Sequence, residues 1–260
     1  MASPANEATA LEHDGPLAII TMQFAPYNLL SVELMDGLLG GLEHAEHAGA
    51  RAVLLRSGLK HFCAGADMTM FDRAIGTGAV EISPVDFLHR FESFPLPVVA
   101  AVNGTCVGGG FELALACDFV IAGRTAKIGS VEVTLGLNPL MGAVQRQVQR
   151  AGALRAKEMS MLGRRYDAET LERWNLINRV VDDEHLDEAA RAVALELANG
   201  PTVAHRITKE LARLAANDGV GAADAVMEER QAALWSSDDL RIGLESFRTN
   251  GPGLARFVGR

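Results

Sequence analysis

Apolar residues along the chain follow two rhythms. Residues 17–23 form a dense apolar run that predicts a buried strand. Behind Ser31, a residue type that caps helices, Leu34, Leu38, Leu42 and Ala45 recur at helical spacing and share one face. Residues 51–56 predict a second strand. Strand, helix, strand in that order predicts an α/β architecture with crossover connections, whose loops at strand ends usually carry the site. Further on, Ser83-Pro84 opens a helix running to about Phe91, Ser as cap and Pro in the first turn. A strand is predicted at 97–102, a Gly-rich turn at 103–110, a helix from about Gly109 to Cys117 and a strand at 118–122. Helices then follow at 140–149, 154–162, 168–174, 186–198, 203–216 and 222–235. The shift in composition at Gly200-Pro201 divides the chain into residues 1–200, mixing strands and helices, and residues 201–260, helical throughout. The apolar faces of that second part must be covered by the core or by another subunit.

Composition narrows the class. At 260 residues and 48% hydrophobic content the chain can fill the core of one large domain, or of a domain with an appendage. Aromatic content of 5% beside 26 Gly predicts an interior of Ala, Leu and Val with many tight turns. A net charge of −9, with no dense block of Lys and Arg, argues against a nucleic-acid surface. Residues 1–14 lack the basic and apolar parts of a secretory signal, and no apolar run approaches the ~18 residues of a spanning helix, so a cytoplasmic protein is expected. Cys63, Cys106 and Cys117 lack CxxC spacing and read as buried thiols.

Two segments end a strand and then offer open backbone N–H groups: His61 to Asp67, and Asn103 to Gly110. Their small residues allow a ligand to approach the main chain, and the helix after Gly109 adds partial positive charge. Two such donors aimed at one oxygen form an oxyanion hole; the competing reading is a pair of Gly-rich turns chosen for close packing. Nucleotide motifs fail here. Phe111-Glu112-Leu113 follows Gly110, with no Gly-Lys-Ser/Thr and no Gly or Ala at position 113. Glu112 sits in the first turn of an otherwise apolar helix, where burial would raise its pKa, although a helix N-terminus also favours a solvated acid. Glu132 is flanked by apolar residues in the loop 128–133. Two carboxylates in dry surroundings near an oxyanion hole suit water addition beside a thioester. Cys63 beside His61 reads as packing. His44 and His47 lack a third ligand beside Glu43 and Glu46, so no metal is expected. A Gly-x-Ser-x-Gly elbow is absent.

Taken in order, residues 61–68, 101–118 and 129–146 resemble the signature blocks of the enoyl-CoA hydratase/isomerase (crotonase) superfamily, enoyl-CoA hydratase above all. Pro26-Tyr27-Asn28 resembles its early Pro-x-Asn turn, and Phe247 and the final Phe257-Val258-Gly259-Arg260 resemble its tail. The resemblance implies a spiral of ββα units followed by a helical region that packs trimers, often paired as hexamers. It implies oxyanion N–H groups at Ala66 and Gly109 and catalytic acids at Glu112 and Glu132. Substrate contacts fall at Lys60, Ala64, Asp67, Met68, Gly108, Pro139, Leu140 and Met141. The implied reaction is syn addition of water to a trans-2-enoyl-CoA, with no metal and no cofactor beyond the coenzyme A of the substrate; isomerisation, hydrolysis or decarboxylation are the alternatives. Leu140 departs from the family pattern, replacing a glycine whose N–H helps hold the water, and the lysine expected near Asn250-Gly251-Pro252 is missing. Arg56, Arg248 and Arg256 are the other bases near the expected coenzyme site.

Overall fold

Two strands open the chain: β1 (Thr9–Asp14) and β2 (Leu17–Met22) pair antiparallel across a turn in which Gly15 takes φ 57°. The computed structural model describes residues 7–77 and 82–260; residues 1–6, part of the segment weighed above for a secretory signal, lie outside the described residues. Ser31 caps α1 (Val32–His47) as its sequence predicts, its Oγ accepting the Leu34 N–H at 3.2 Å. Then come β3 (Ala52–Ser57), α2 (Met68–Thr77), and α3 (Pro84–Glu92) behind its Ser83 cap. β4 (Val98–Val102), β5 (Thr105–Val107), α4 (Gly109–Ala116), β6 (Phe119–Gly123) and β7 (Lys127–Gly129) lead to a 3-10 turn at Glu132–Leu135. The rest is α5 (Ala143–Leu162), β8 (Tyr166–Asp167), α6 (Ala168–Arg173), β9 (Arg179–Val181), α7 (Leu186–Asn199), α8 (Thr202–Asp218), α9 (Val220–Trp235) and α10 (Asp238–Asn250).

The main sheet runs β1-β2-β3-β4-β6-β9, and every pair except β1-β2 is parallel. Its inner strands are buried on both faces. Ile20, Val53, Leu55 and Ala100 point into a larger core with α1, α3 and α4, while Ile19, Leu54, Val99 and Ile121 meet Ala190, Ala194 and Ala198 of α7. Burial on both sides is why these strands read as continuous apolar runs rather than alternation. A second, small sheet β5-β7-β8 stands apart from the first. It matters because β5 runs straight into α4, and β7 into the Glu132 turn.

Two expectations need correction. α5 begins at Ala143, not at residue 140, because the amides of Met141 and Ala143 are turned onto the Glu112 carboxylate before the helix starts. The two helices expected at 140–149 and 154–162 are both present, as two segments of α5 separated at Gly152, where φ is 81° and ψ 161°. Glu132 lies in a helical turn rather than an open loop. The C-terminal helices are tied to the sheet layers by polar bonds: Lys209 of α8 donates to Leu96 O and Asp118, and Arg51 reaches Thr202 Oγ1, Phe257 O and Gly200 O. Among the described residues, no helix is long and apolar enough to cross a membrane.

Candidate active site

The first of the two bends follows β3 and is fixed by Asn28. That buried side chain accepts the Phe24 N–H at 2.8 Å and donates to Ser57 Oγ at 2.8 Å and Phe62 O at 3.0 Å, joining the Pro-Tyr-Asn turn to the 57–66 loop. Leu30 then pairs with this loop as a lone parallel bridge: its N–H donates to Gly65 O and its carbonyl accepts from Asp67 N, both at 2.9 Å. A bridge made through the groups on either side of Ala66 leaves the Ala66 amide facing the other way. It has no acceptor among the described residues.

The second bend turns on Gly108, held at φ 56° and ψ −131°. Its N–H donates to Gly129 O at 3.0 Å, and its carbonyl accepts from Phe111 and Glu112 at 2.8 and 3.0 Å. Gly109 opens α4, where no intrahelical acceptor exists, and its amide likewise has no acceptor among the described residues. A Cβ placed on Gly109 would lie 3.7 Å from the Ala66 nitrogen and 2.9 Å from Leu30 Cδ1, so the two open amides stand close together. Packing explains other glycines. A Cβ on Gly104 would meet Lys60 O at 2.3 Å. Close packing thus accounts for Gly104, while the amides of Ala66 and Gly109 stand open near one another.

Glu112, from the first turn of α4, is 2% exposed, and its Oε1 accepts the Met141 and Ala143 N–H groups at 2.8 and 3.0 Å. It is not a solvated helix-end acid. Burial pushes its pKa up, opposed by the backbone donors at 141–143 and the Arg146 charge. Glu132 differs in kind. Among the described residues, neither of its buried oxygens has a hydrogen-bond partner. Desolvation above all pushes its pKa up to about 7, opposed by the nearness of its own backbone N–H, with the Glu112 charge adding a smaller rise.

Both acids line one cavity of about 350 Å³ together with Ala64, Ala66, Met68, Gly108, Gly109, Leu140 and Met141. Three expected site residues stand outside it. Lys60 is exposed, Asp67 accepts the Thr69 N–H at the start of α2, and Pro139 lines the neighbouring polar cavity, on the far side of the 138–142 segment. The apolar wall contributed by Leu29, Leu30, Met35, Met70, Phe71, Leu135 and Leu137 was not anticipated. The one available signal was the Leu29-Leu30 pair directly after the Pro-Tyr-Asn turn. Arg56 is engaged with Asp187, Glu12 and Thr21, a structural role. The Cys63 thiol is buried and pushed up to about 12, which removes it as a nucleophile. Cys106 and Cys117 are buried free thiols as well. Among the described residues no cluster could hold a metal ion.

A largely apolar cavity lined by two acids and by the two residues with open amides suits chemistry on a small molecule, and the α/β architecture around it is the crotonase-like fold. The chain belongs to the enoyl-CoA hydratase/isomerase family, which it matches over residues 12–252. It is 36% identical to a putative enoyl-CoA hydratase of Thermus thermophilus, over 86% of this chain and 91% of that one. A carnitinyl-CoA dehydratase of Citrobacter koseri is 39% identical over 80% of this chain and 81% of its own. Among solved structures, the enoyl-CoA hydratase subunit I of Geobacillus kaustophilus superposes with a TM-score of 0.89 at 29% identity, covering 99% of this chain and 100% of that one.

Proposed function

We propose that the protein is an enoyl-CoA hydratase, adding water across the double bond of a trans-2-enoyl-CoA to give a 3-hydroxyacyl-CoA. The observation that carries this reading is the unlike pair of acids in one largely apolar cavity: Glu112 accepts two main-chain N–H bonds, and Glu132 accepts none from the described residues. Amide donors favour a carboxylate, so Glu112 is the base that removes a proton from water as its oxygen attacks the β-carbon. An unbonded carboxyl with a pKa near 7 keeps its proton, so Glu132 delivers it to the α-carbon. Negative charge passes meanwhile to the thioester oxygen, where the Ala66 and Gly109 amides receive it as an oxyanion hole. No metal or redox group has a part in these steps. Lys60, exposed just ahead of the first bend, meets the phosphates of the coenzyme in this reading.

The apolar walls favour an uncharged acyl group. A quaternary ammonium substrate, as the name of the Citrobacter relative implies, calls for an aromatic or anionic cage, whereas this chain lines the cavity with Leu135, Leu137 and Leu140. The same reading extends to assembly as a trimer or hexamer through the helices beyond Pro201.

Incubating the protein with 2-enoyl-CoA and 3-enoyl-CoA thioesters in ¹⁸O-labelled water tests the proposal. Labelled 3-hydroxyacyl-CoA from the 2-enoyl substrate is expected. Turnover of the 3-enoyl substrate to an unlabelled conjugated product, with no hydration, would establish isomerisation instead.

A further inference from the structure

The Glu112 carboxylate is held at one end of a polar chain whose other end lies outside the cavity. The peptide unit joining Gly142 to Ala143 donates its N–H to Glu112 Oε1 at 3.0 Å, and its carbonyl accepts from Arg146 Nη1 at 3.1 Å. The two groups lie on opposite edges of one planar peptide, so the guanidinium and the carboxylate pull on the same dipole from either side. Arg146 is itself clamped by α3: its Nε donates to Glu92 Oε1 at 3.0 Å and its Nη2 to Glu92 Oε2, a two-pronged pair with only 10% of the arginine side chain exposed. Gly142 is shaped to this contact. It takes φ 110°, and a Cβ there would stand 2.5 Å from Arg146 Nη1.

We infer that Arg146, fixed by Glu92, is the positioning residue of the reaction: it holds and polarises the 142–143 peptide so that the amide presents to Glu112 at one angle and favours its ionised form. The inference rests on Glu112 as a reacting base, the reading given above. A charged donor on the carbonyl strengthens the N–H at the other end, because hydrogen bonds in series polarise one another. Arg146 also lowers the Glu112 pKa directly against the rise from burial. Glu132, from the turn after β7, also acts on Glu112 by its charge, and Arg150, one turn beyond Arg146 along α5, donates to Leu115 O of α4. Neither bonds to the 142–143 peptide.

The test uses Arg146→Met, Arg146→Lys and Glu92→Gln, each first shown to melt cooperatively. In Arg146→Met the acid limb of kcat/KM is expected to move to higher pH, and kcat to fall roughly 10²-fold with KM little changed, as for a misplaced reacting group. Arg146→Lys, keeping the charge, is expected to restore part of both. Glu92→Gln removes a negative charge from the far side of the guanidinium, so its limb is expected to move to lower pH. Damage to packing alone would not drive the two limbs in opposite directions. A ¹³C titration of the Glu112 carboxyl should show the same shifts without turnover. Limbs and resonance unmoved, or moved the same way in Arg146→Met and Glu92→Gln, would overturn the inference. If Arg146→Met does not fold, Arg146→Lys and Glu92→Gln carry the comparison. Should the wild-type protein hydrate no enoyl-CoA, the reading above fails, and the ¹³C titration still decides the role of Arg146.

Discussion

Gly110 lies against Cys63 with no room for a side chain: a Cβ there would stand 2.4 Å from the Cys63 carbonyl oxygen and 2.8 Å from its Sγ. The contact sets how closely α4 and the 61–66 loop approach, and so how Gly109 stands to Ala66. Gly110→Ala is expected to destabilise the fold by about 1–3 kcal/mol through overpacking. Pushing the two amides out of alignment should also cost roughly 10²-fold or more in kcat. Urea melts and steady-state rates on the same sample check both.

Replacing either acid by its amide separates chemistry from binding. Glu112→Gln and Glu132→Gln are each expected to lower kcat by ~10²–10⁴-fold while the dissociation constant for 3-hydroxyacyl-CoA changes little. The double variant should cost much less than the product of the two, because the residues act as a unit. Near-normal turnover in either single variant would remove that residue from the mechanism.

Two pH effects follow from Glu132. As a proton donor with a pKa of about 7, it should impose loss of activity as pH rises through that value. Stability should move the same way. Its folded-state pKa lies above the ordinary glutamate value of 4.5, so the folded chain binds more protons between those limits and is weakened as pH rises across them. After discounting for partial solvent access, the loss is on the order of 1 kcal/mol. Glu132→Gln should melt at a higher denaturant concentration than wild type at pH 8.5, and close to it at pH 4.

Lys209 and Asp118 join α8 to the residue ahead of β6. The pair is 2.7 Å apart with side chains 12% and 22% exposed, and Asp118 Oδ2 also accepts the Val98 N–H. Lys209→Met leaves a carboxylate buried without its cation, and should cost about 3–5 kcal/mol. Adding Asp118→Asn is expected to recover part of the loss, read as a coupling in a double-mutant cycle of urea melts.

The elements legible in the sequence are those that carry a repeat or a cap. α1 and α3 lie where Ser31 and Ser83 announce them, and β2, β3 and β4 where dense apolar runs do. β5, β7, β8 and β9 span two or three residues each, too few to show any period, and their pairing is set by partners distant in sequence. β1 is an edge strand of mixed polarity. The reading of residues 201–260 as helical covers α10 without bounding it, although Ser237, which caps it through the Leu240 N–H, is a signal present in the sequence. In the site, the glycines and both acids stood out because their chemistry is local. The apolar wall did not, since Met35 on α1 and Phe71 on α2 become neighbours only when the helices pack.

Gly108 brings several constraints onto one position. Its amide serves β7, its carbonyl starts α4, and the space where a side chain would be lies 3.7 Å from Glu132 Oε1. Variation there would disturb an acid and an open amide together, so mutational drift at this position is closed. Leu135 and Leu140 face the same cavity from its rim, 57% and 39% exposed, and carry no such burden. On the proposed reading, exchange of those two side chains is the route by which descendants of this protein would acquire new acyl preferences, with Glu112 and Glu132 left in place.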